Sequence, residues 1–131
     1  KTNDLNYRRF YEAGNIFLYG KSFEPAINFY EAALTVINPD DFEYIMKINS
    51  NMGISSYMNH QYPEAIVCFE KALAVDPHEP SSLVYLGLTY RDTGNTLKAI
   101  ECLSKALDYI HEAGWRKEIT AILTELNQAK Q

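Results

Sequence analysis

Glu64-Ala65-Ile66-Val67-Cys68-Phe69-Glu70-Lys71-Ala72-Leu73 is a stretch the chain writes three times. Upstream stands Ala26-Ile27-Asn28-Phe29-Tyr30-Glu31-Ala32-Ala33-Leu34, and downstream Ala99-Ile100-Glu101-Cys102-Leu103-Ser104-Lys105-Ala106-Leu107. All three read Ala-Ile-x-x-aromatic/Leu-x-x-Ala-Leu. Twelve residues before each leading alanine comes a glycine: Gly14, Gly53 and Gly87. The second and third glycines are 34 residues apart and the first and second 39, so five residues are inserted in the first connection. Self-similarity at such a period marks a repeat architecture, in which one supersecondary unit stacks on the next.

Within each repeat the apolar residues recur at helical spacing. The predicted helices run over about 4–19, 23–37, 42–58, 63–75, 80–93, 96–111 and 115–130. Pro63 and Pro80 suit a first helical turn, where the missing N–H is no loss. Asn38-Pro39 and Asp76-Pro77 close the helices before them, and Gly20, His60 and Gly94 mark the turns inside the repeats. Asp40, Asp41 and Glu43 read as N-cap and first-turn acids of the third helix. Gly14, Gly53 and Gly87 sit where the paired helices cross, facing Ala26, Ala65 and Ala99. Ala33, Ala72 and Ala106 serve where repeats meet. Phe10, Phe17, Tyr30, Phe69, Leu83, Leu86, Tyr90 and Leu103 are the expected core.

This set resembles the tetratricopeptide-repeat (TPR) pattern over about residues 7 to 113. The resemblance implies an all-α protein, an α-solenoid of three helix–turn–helix repeats wound as a right-handed superhelix. Repeat 1 covers about 7–40, the inserted connection about 38–45, repeat 2 about 46–79 and repeat 3 about 80–113. A seventh helix with Trp115, Ile119, Ile122, Leu123 and Leu126 on one stripe would cap helix six, and the whole would form a single domain, 1–131.

Composition narrows the function. The chain has 131 residues, a net charge of -5 and scattered cations, which disfavours nucleic acid as a partner. No run approaches the ~18 apolar residues of a membrane span. The first residues carry neither an initiator Met nor an apolar leader, which reads as a piece of a longer protein or a processed chain. Cys68 and Cys102 occupy equivalent places in successive repeats, as small packing residues rather than a disulfide pair. They favour a reducing, cytoplasmic setting. His60, His78 and His111 fall at separate turns without ligand partners, so no metal or other cofactor is expected. Without a phosphate loop or a nucleophile–base pair, no enzymatic activity is expected either.

Function is then sought on the surface that the first helix of each repeat presents, which in the TPR family is a concave peptide-binding groove. Carrying over its places by resemblance gives Tyr11, Asn15, Leu18 and Tyr19 from the first helix. The third helix contributes Asn51, Ile54, Tyr57 and Met58, and the fifth Val84, Tyr85 and Leu88. Arg8, Lys47 and Arg91 form a rim. A patch of Tyr, Met and aliphatic residues with a polar border has the composition of a protein-binding surface. The expected partner is a peptide or helix of another protein, with self-association left open.

Co-chaperone TPRs use two asparagines and three cations as a carboxylate clamp for acidic tails. Here the asparagine places are filled by Asn15 and Asn51, but the cation places hold Tyr11, Ser81 and Tyr85, which argues against clamp binding. Alternatives are a chaperone resembling the class II chaperones of type III secretion, or an accessory TPR domain of a larger enzyme or regulator.

Overall fold

The computed structural model describes residues 2–130 as seven helices, with no strand among them: α1 (Thr2–Tyr19), α2 (Phe23–Val36), α3 (Phe42–Met58), α4 (Tyr62–Val75), α5 (Pro80–Asp92), α6 (Thr96–Leu107) and α7 (Ala113–Lys130). They fall into two compact units that divide between Pro77 and His78. In the first, α1 packs on α2, α2 on α3 and α3 on α4, and α1 also touches α3. In the second, α5 packs on α6 and α6 on α7.

The three helical glycines explain the pairing. A Cβ on Gly14 would lie 2.5 Å from the Tyr30 ring, on Gly53 2.6 Å from the Phe69 ring, and on Gly87 2.7 Å from Leu103 Cγ. The repeat's Gly is thus the socket for its fifth-place aromatic or leucine, sixteen residues on. The reading of the crossing had named only the leading alanines, not this side chain. Ala26, Ala65 and Ala99 are fully buried, as are Ala33, Ala72 and Ala106. They give the close approach that small residues allow.

Every turn inside a repeat has one residue in the left-handed region, at the same repeat place: Lys21 (φ 62), His60 (φ 59) and Gly94 (φ 85). In the first repeat that place belongs to Lys21, not to the adjacent Gly20. The turn then closes identically, with Ser22 N–H on Phe17 O, Gln61 N–H on Ser56 O and Asn95 N–H on Tyr90 O, each at 2.8 Å.

The expected Asp41 cap is present, and two further side chains cap α5 and α6. Asp41 accepts from Tyr44 N–H at the start of α3, and Glu79 accepts from the N–H groups of Ser81 and Ser82 at the start of α5. Asn95 does the same for α6 through Lys98 N–H. The extra residues of the first connection add about a turn to the start of α3, which leads Gly53 by eleven positions where α5 leads Gly87 by seven.

Helix α6 ends at Leu107, four residues before the expected 111. Asp108 and Tyr109 turn back on Lys105 O and Ala106 O, and the Arg116 guanidinium donates to Leu107 O and to Ile110 O. A side chain from α7 thereby satisfies carbonyls that the helix end would leave orphaned.

Tyr30, Phe69, Leu83, Leu86 and Leu103 are buried as expected. Phe17 is not: it is 36% exposed, stacked on Phe29 with ring centroids 5.4 Å apart. Conversely, Tyr7 and Ile48 are buried core residues that the repeat pattern did not single out.

Candidate functional site

The first unit sets its candidate residues on neighbouring faces of α1 and α3. Tyr30, buried on α2, donates its hydroxyl to Asn15 Oδ1 at 2.5 Å. Asn51 Nδ2 donates to the same oxygen at 2.8 Å and to the Tyr11 hydroxyl at 3.3 Å. Burial raises the Tyr30 phenol above its ordinary value, and the neighbouring Tyr11 adds to the shift. Tyr30 is therefore a neutral donor at any physiological pH. The two asparagines hold one another across α1 and α3. Each still has an amide end with no partner among the described residues, Nδ2 on Asn15 and Oδ1 on Asn51. One free donor beside one free acceptor matches what a peptide group of a bound segment requires.

Around this pair Tyr11 is locked edge-on against Tyr44 (5.5 Å, 80°) and tilted on Tyr30 (6.1 Å). Leu18 and Ile54 are half-buried, while Tyr19 is 76% and Met58 42% exposed. Tyr57 is tilted against Tyr62 of α4, 5.8 Å between centroids.

The rim cations of this unit are held by acids that the longer α3 supplies. Asp41 accepts the Tyr7 hydroxyl at 2.5 Å and pairs with Arg8 at 3.5 Å. Lys47 pairs with Glu43 at 3.0 Å, one turn away. The guanidinium of Arg8 lies 4.7 Å from the Tyr44 ring centre and the Lys47 ammonium 5.1 Å from it. The Tyr7 bond, followed by the Tyr44 N–H and Arg8, lowers the Asp41 carboxyl below the usual carboxylate range.

The second unit forms a cavity of about 190 Å³ between α5 and α7. Val84, Tyr85 and Leu88 line it from α5; Trp115, Glu118, Ile119 and Ile122 line it from α7. Val84 is only 4% exposed and forms the wall, whereas Tyr85 is half-buried with its ring edge-on to Trp115 at 6.5 Å. Arg91 pairs with its neighbour Asp92 at 2.8 Å.

Trp115, Glu118 and Ile122 stand beside the α5 candidates as cavity-lining residues, a placement that the reading of α7 as a cap alone missed. A signal was there. Adding the 34-residue period to Ser81, Val84, Tyr85 and Leu88 lands on Trp115, Glu118, Ile119 and Ile122. The seventh helix occupies the place of a fourth repeat's first helix.

Chemistry elsewhere is sparse. Among the described residues no group of three His, Cys, Asp or Glu side chains is placed to hold a metal, and no helix is long and apolar enough to cross a membrane. His78 stacks on Tyr109 at 4.4 Å and His60 Nδ1 lies 2.9 Å from the Tyr62 hydroxyl, so both serve turns. Cys68 and Cys102 are free thiols, and burial pushes each up to about 11.

A family model described as anaphase-promoting complex, cyclosome, subunit 3 matches residues 58–131, more than half of the chain. The chain belongs to that family, one of tetratricopeptide repeats. A curated relative, the protein called ycf37 of Guillardia theta, is 32% identical over 100 residues; the match covers 76% of this chain and 56% of the relative. The chain thus spans little more than half the length of that relative.

Solved TPR structures share the fold. The first TPR of Spaghetti (RPAP3), bound to the HSP90 peptide SRMEEVD, is 15% identical with a TM-score of 0.83, over 96% of this chain and 94% of that one. The type III secretion translocator chaperone SycD of Yersinia enterocolitica is 16% identical with a TM-score of 0.83, over 94% and 84%. At such identities the likeness is one of fold.

Proposed function

We propose that this chain is a non-catalytic protein-interaction module that holds a peptide or helical segment of another protein on the faces of α1, α3 and α5. The observation that carries the reading is the interlocked Asn15–Asn51 pair. Its free donor and acceptor are fixed in place by Tyr11 and Tyr30 and flanked by exposed Tyr19 and Met58. Preorganised polar groups amid apolar surface cost little ordering entropy on binding. The Val84–Tyr85–Leu88–Trp115 cavity supports a second apolar anchor point. The family match and the TPR fold agree with interaction rather than chemistry.

An acidic tail such as the HSP90 peptide bound by the Spaghetti domain is not the favoured ligand. The clamp's cation places hold Tyr11, Ser81 and Tyr85, and Arg8 and Lys47 are already paired with acids. Peptides selected from a random library on the wild-type chain should be apolar in their anchor residues. Asn51→Ala or Tyr85→Ala should weaken them by about fivefold or more, approaching the scale of an interface hot spot. Selected peptides that are acidic, lose affinity steeply with salt and ignore both substitutions would refute the reading.

A further inference from the structure

We propose that the first unit has a second docking site, a cavity between α2 and α4 that takes an arginine side chain of a partner protein. This goes beyond the reading of the α1, α3 and α5 faces and does not depend on it. The cavity measures about 390 Å³, within the ~300–1,000 Å³ of small-ligand pockets. Met52 and Ser56 reach it from α3. On that helix they stand about 150° around the axis from Asn51, Ile54 and Met58, at ~3.6 residues per turn. The site is therefore on the other side of α3 from the asparagine pair.

Three features define the occupant. The walls are apolar: Ile27 from α2, Val67 and Cys68 from α4, and Met52 beneath. Such walls suit the methylene stem of a long basic side chain. Glu31 and Glu64 line the cavity from opposite helices, and neither makes an ion pair with a described residue. Both carboxylates are close enough to raise the Cys68 thiol further, against the opposing pull of Lys71.

The third feature is Ser56. It is only 2% exposed, it lines the cavity, and its hydroxyl has no hydrogen-bond partner among the described residues. The Oγ opens into the cavity, so a ligand entering it meets a hydroxyl free to donate or accept. A single cation that must reach two carboxylates and a deeper hydroxyl needs donors in several directions. Guanidinium carries five in one plane and is weakly hydrated, whereas an ammonium is a compact, strongly hydrated charge. Arginine therefore fits better than lysine.

The test uses the whole chain labelled with nitrogen-15 and the blocked pentapeptide acetyl-Ala-Ala-Arg-Ala-Ala-amide. Its lysine and norleucine counterparts and agmatine serve as comparison arms. The arginine peptide should shift the amides near Ile27, Ser56, Val67 and Cys68 saturably, with a dissociation constant on the order of millimolar. The double substitution E31Q/E64Q, at two exposed positions, should weaken it by about fivefold. V67W, also at an exposed position, should block the mouth, and Asn51→Ala on the far face should leave binding unchanged. No saturable shift, or binding indifferent to both E31Q/E64Q and V67W, would overturn the site. Equal binding of the lysine peptide would overturn the guanidinium assignment, and equal binding of agmatine the partner-protein origin.

Discussion

Gly53→Ala adds one methyl group and should destabilise the protein, although alanine is the better helix former. The added Cβ would meet three atoms of the Phe69 ring at 2.6, 2.8 and 2.9 Å. Real Cβ contacts do not come that close, so ring or helix must retreat. Phe69 is completely buried, so its ring must displace packed neighbours to move. Overpacking of this kind costs about 1–3 kcal/mol, while replacing a mid-helix Gly by Ala returns up to ~1 kcal/mol. The net expectation is a loss of about 1 kcal/mol, read as a lower urea midpoint at constant slope when helicity is followed by circular dichroism. In a Phe69→Ala background the obstacle is gone, and the same substitution should become neutral or stabilising by up to ~1 kcal/mol. Gly20→Ala is the control, since its Cβ would meet nothing closer than Ile16 O at 3.3 Å. A Gly53→Ala midpoint at or above wild type would refute the socket. So would a loss of equal size in both backgrounds.

Three further expectations rest on other parts of the fold. Lys21→Gly should stabilise the protein by about 0.5–1 kcal/mol, because a non-glycine residue at φ 62 is strained by roughly 1–2 kcal/mol and glycine's extra unfolded-state entropy offsets only part of the relief; thermal melting checks it, and an unchanged or lower midpoint refutes it. Because the Asp41 carboxyl is lowered by Tyr7 first and then by the Tyr44 N–H and Arg8, its stabilisation is complete above the unfolded value of ~4 and fades as pH falls through the lower folded value. Urea midpoints from pH 7 to 2.5 should therefore decline less steeply for Asp41→Asn than for wild type, starting from a lower level at pH 7. With Cys68 and Cys102 each pushed from 9 up to about 11, the thiolate fraction at pH 8 falls about 100-fold, and both should react slowly with a thiol reagent until the chain is unfolded; rapid reaction of the folded protein would contradict their burial.

The repeat could be read from one line of sequence because its signal is steric and local. A glycine, an alanine twelve places on and an aromatic or leucine four places beyond that recur wherever two helices must cross closely. The cap of α3 was equally legible, since Asp41 bonds to an N–H three residues on; Glu79 and Asn95 cap α5 and α6 in the same local way but were not singled out. The candidate groove residues lie on α1, α3 and α5, but the contacts they make were not legible. Asn15 and Asn51 were expected to face a partner, and half of their bonding capacity is turned inward on Tyr11, Tyr30 and each other.

What sequence alone determined is thus the helices, their pairing and the all-α TPR class, because period and residue size act over one turn or one crossing. Tertiary structure alone decided that Tyr7 is buried with its hydroxyl on Asp41, 34 residues away. It decided that Trp115 stands beside Tyr85 and lines a cavity with Leu88, and that Ser56 opens into a chamber beneath Glu31 and Glu64. These meetings bring together residues far apart in the chain. Which side chains meet depends on how each helix is rotated when it packs, and no spacing within one helix encodes that rotation.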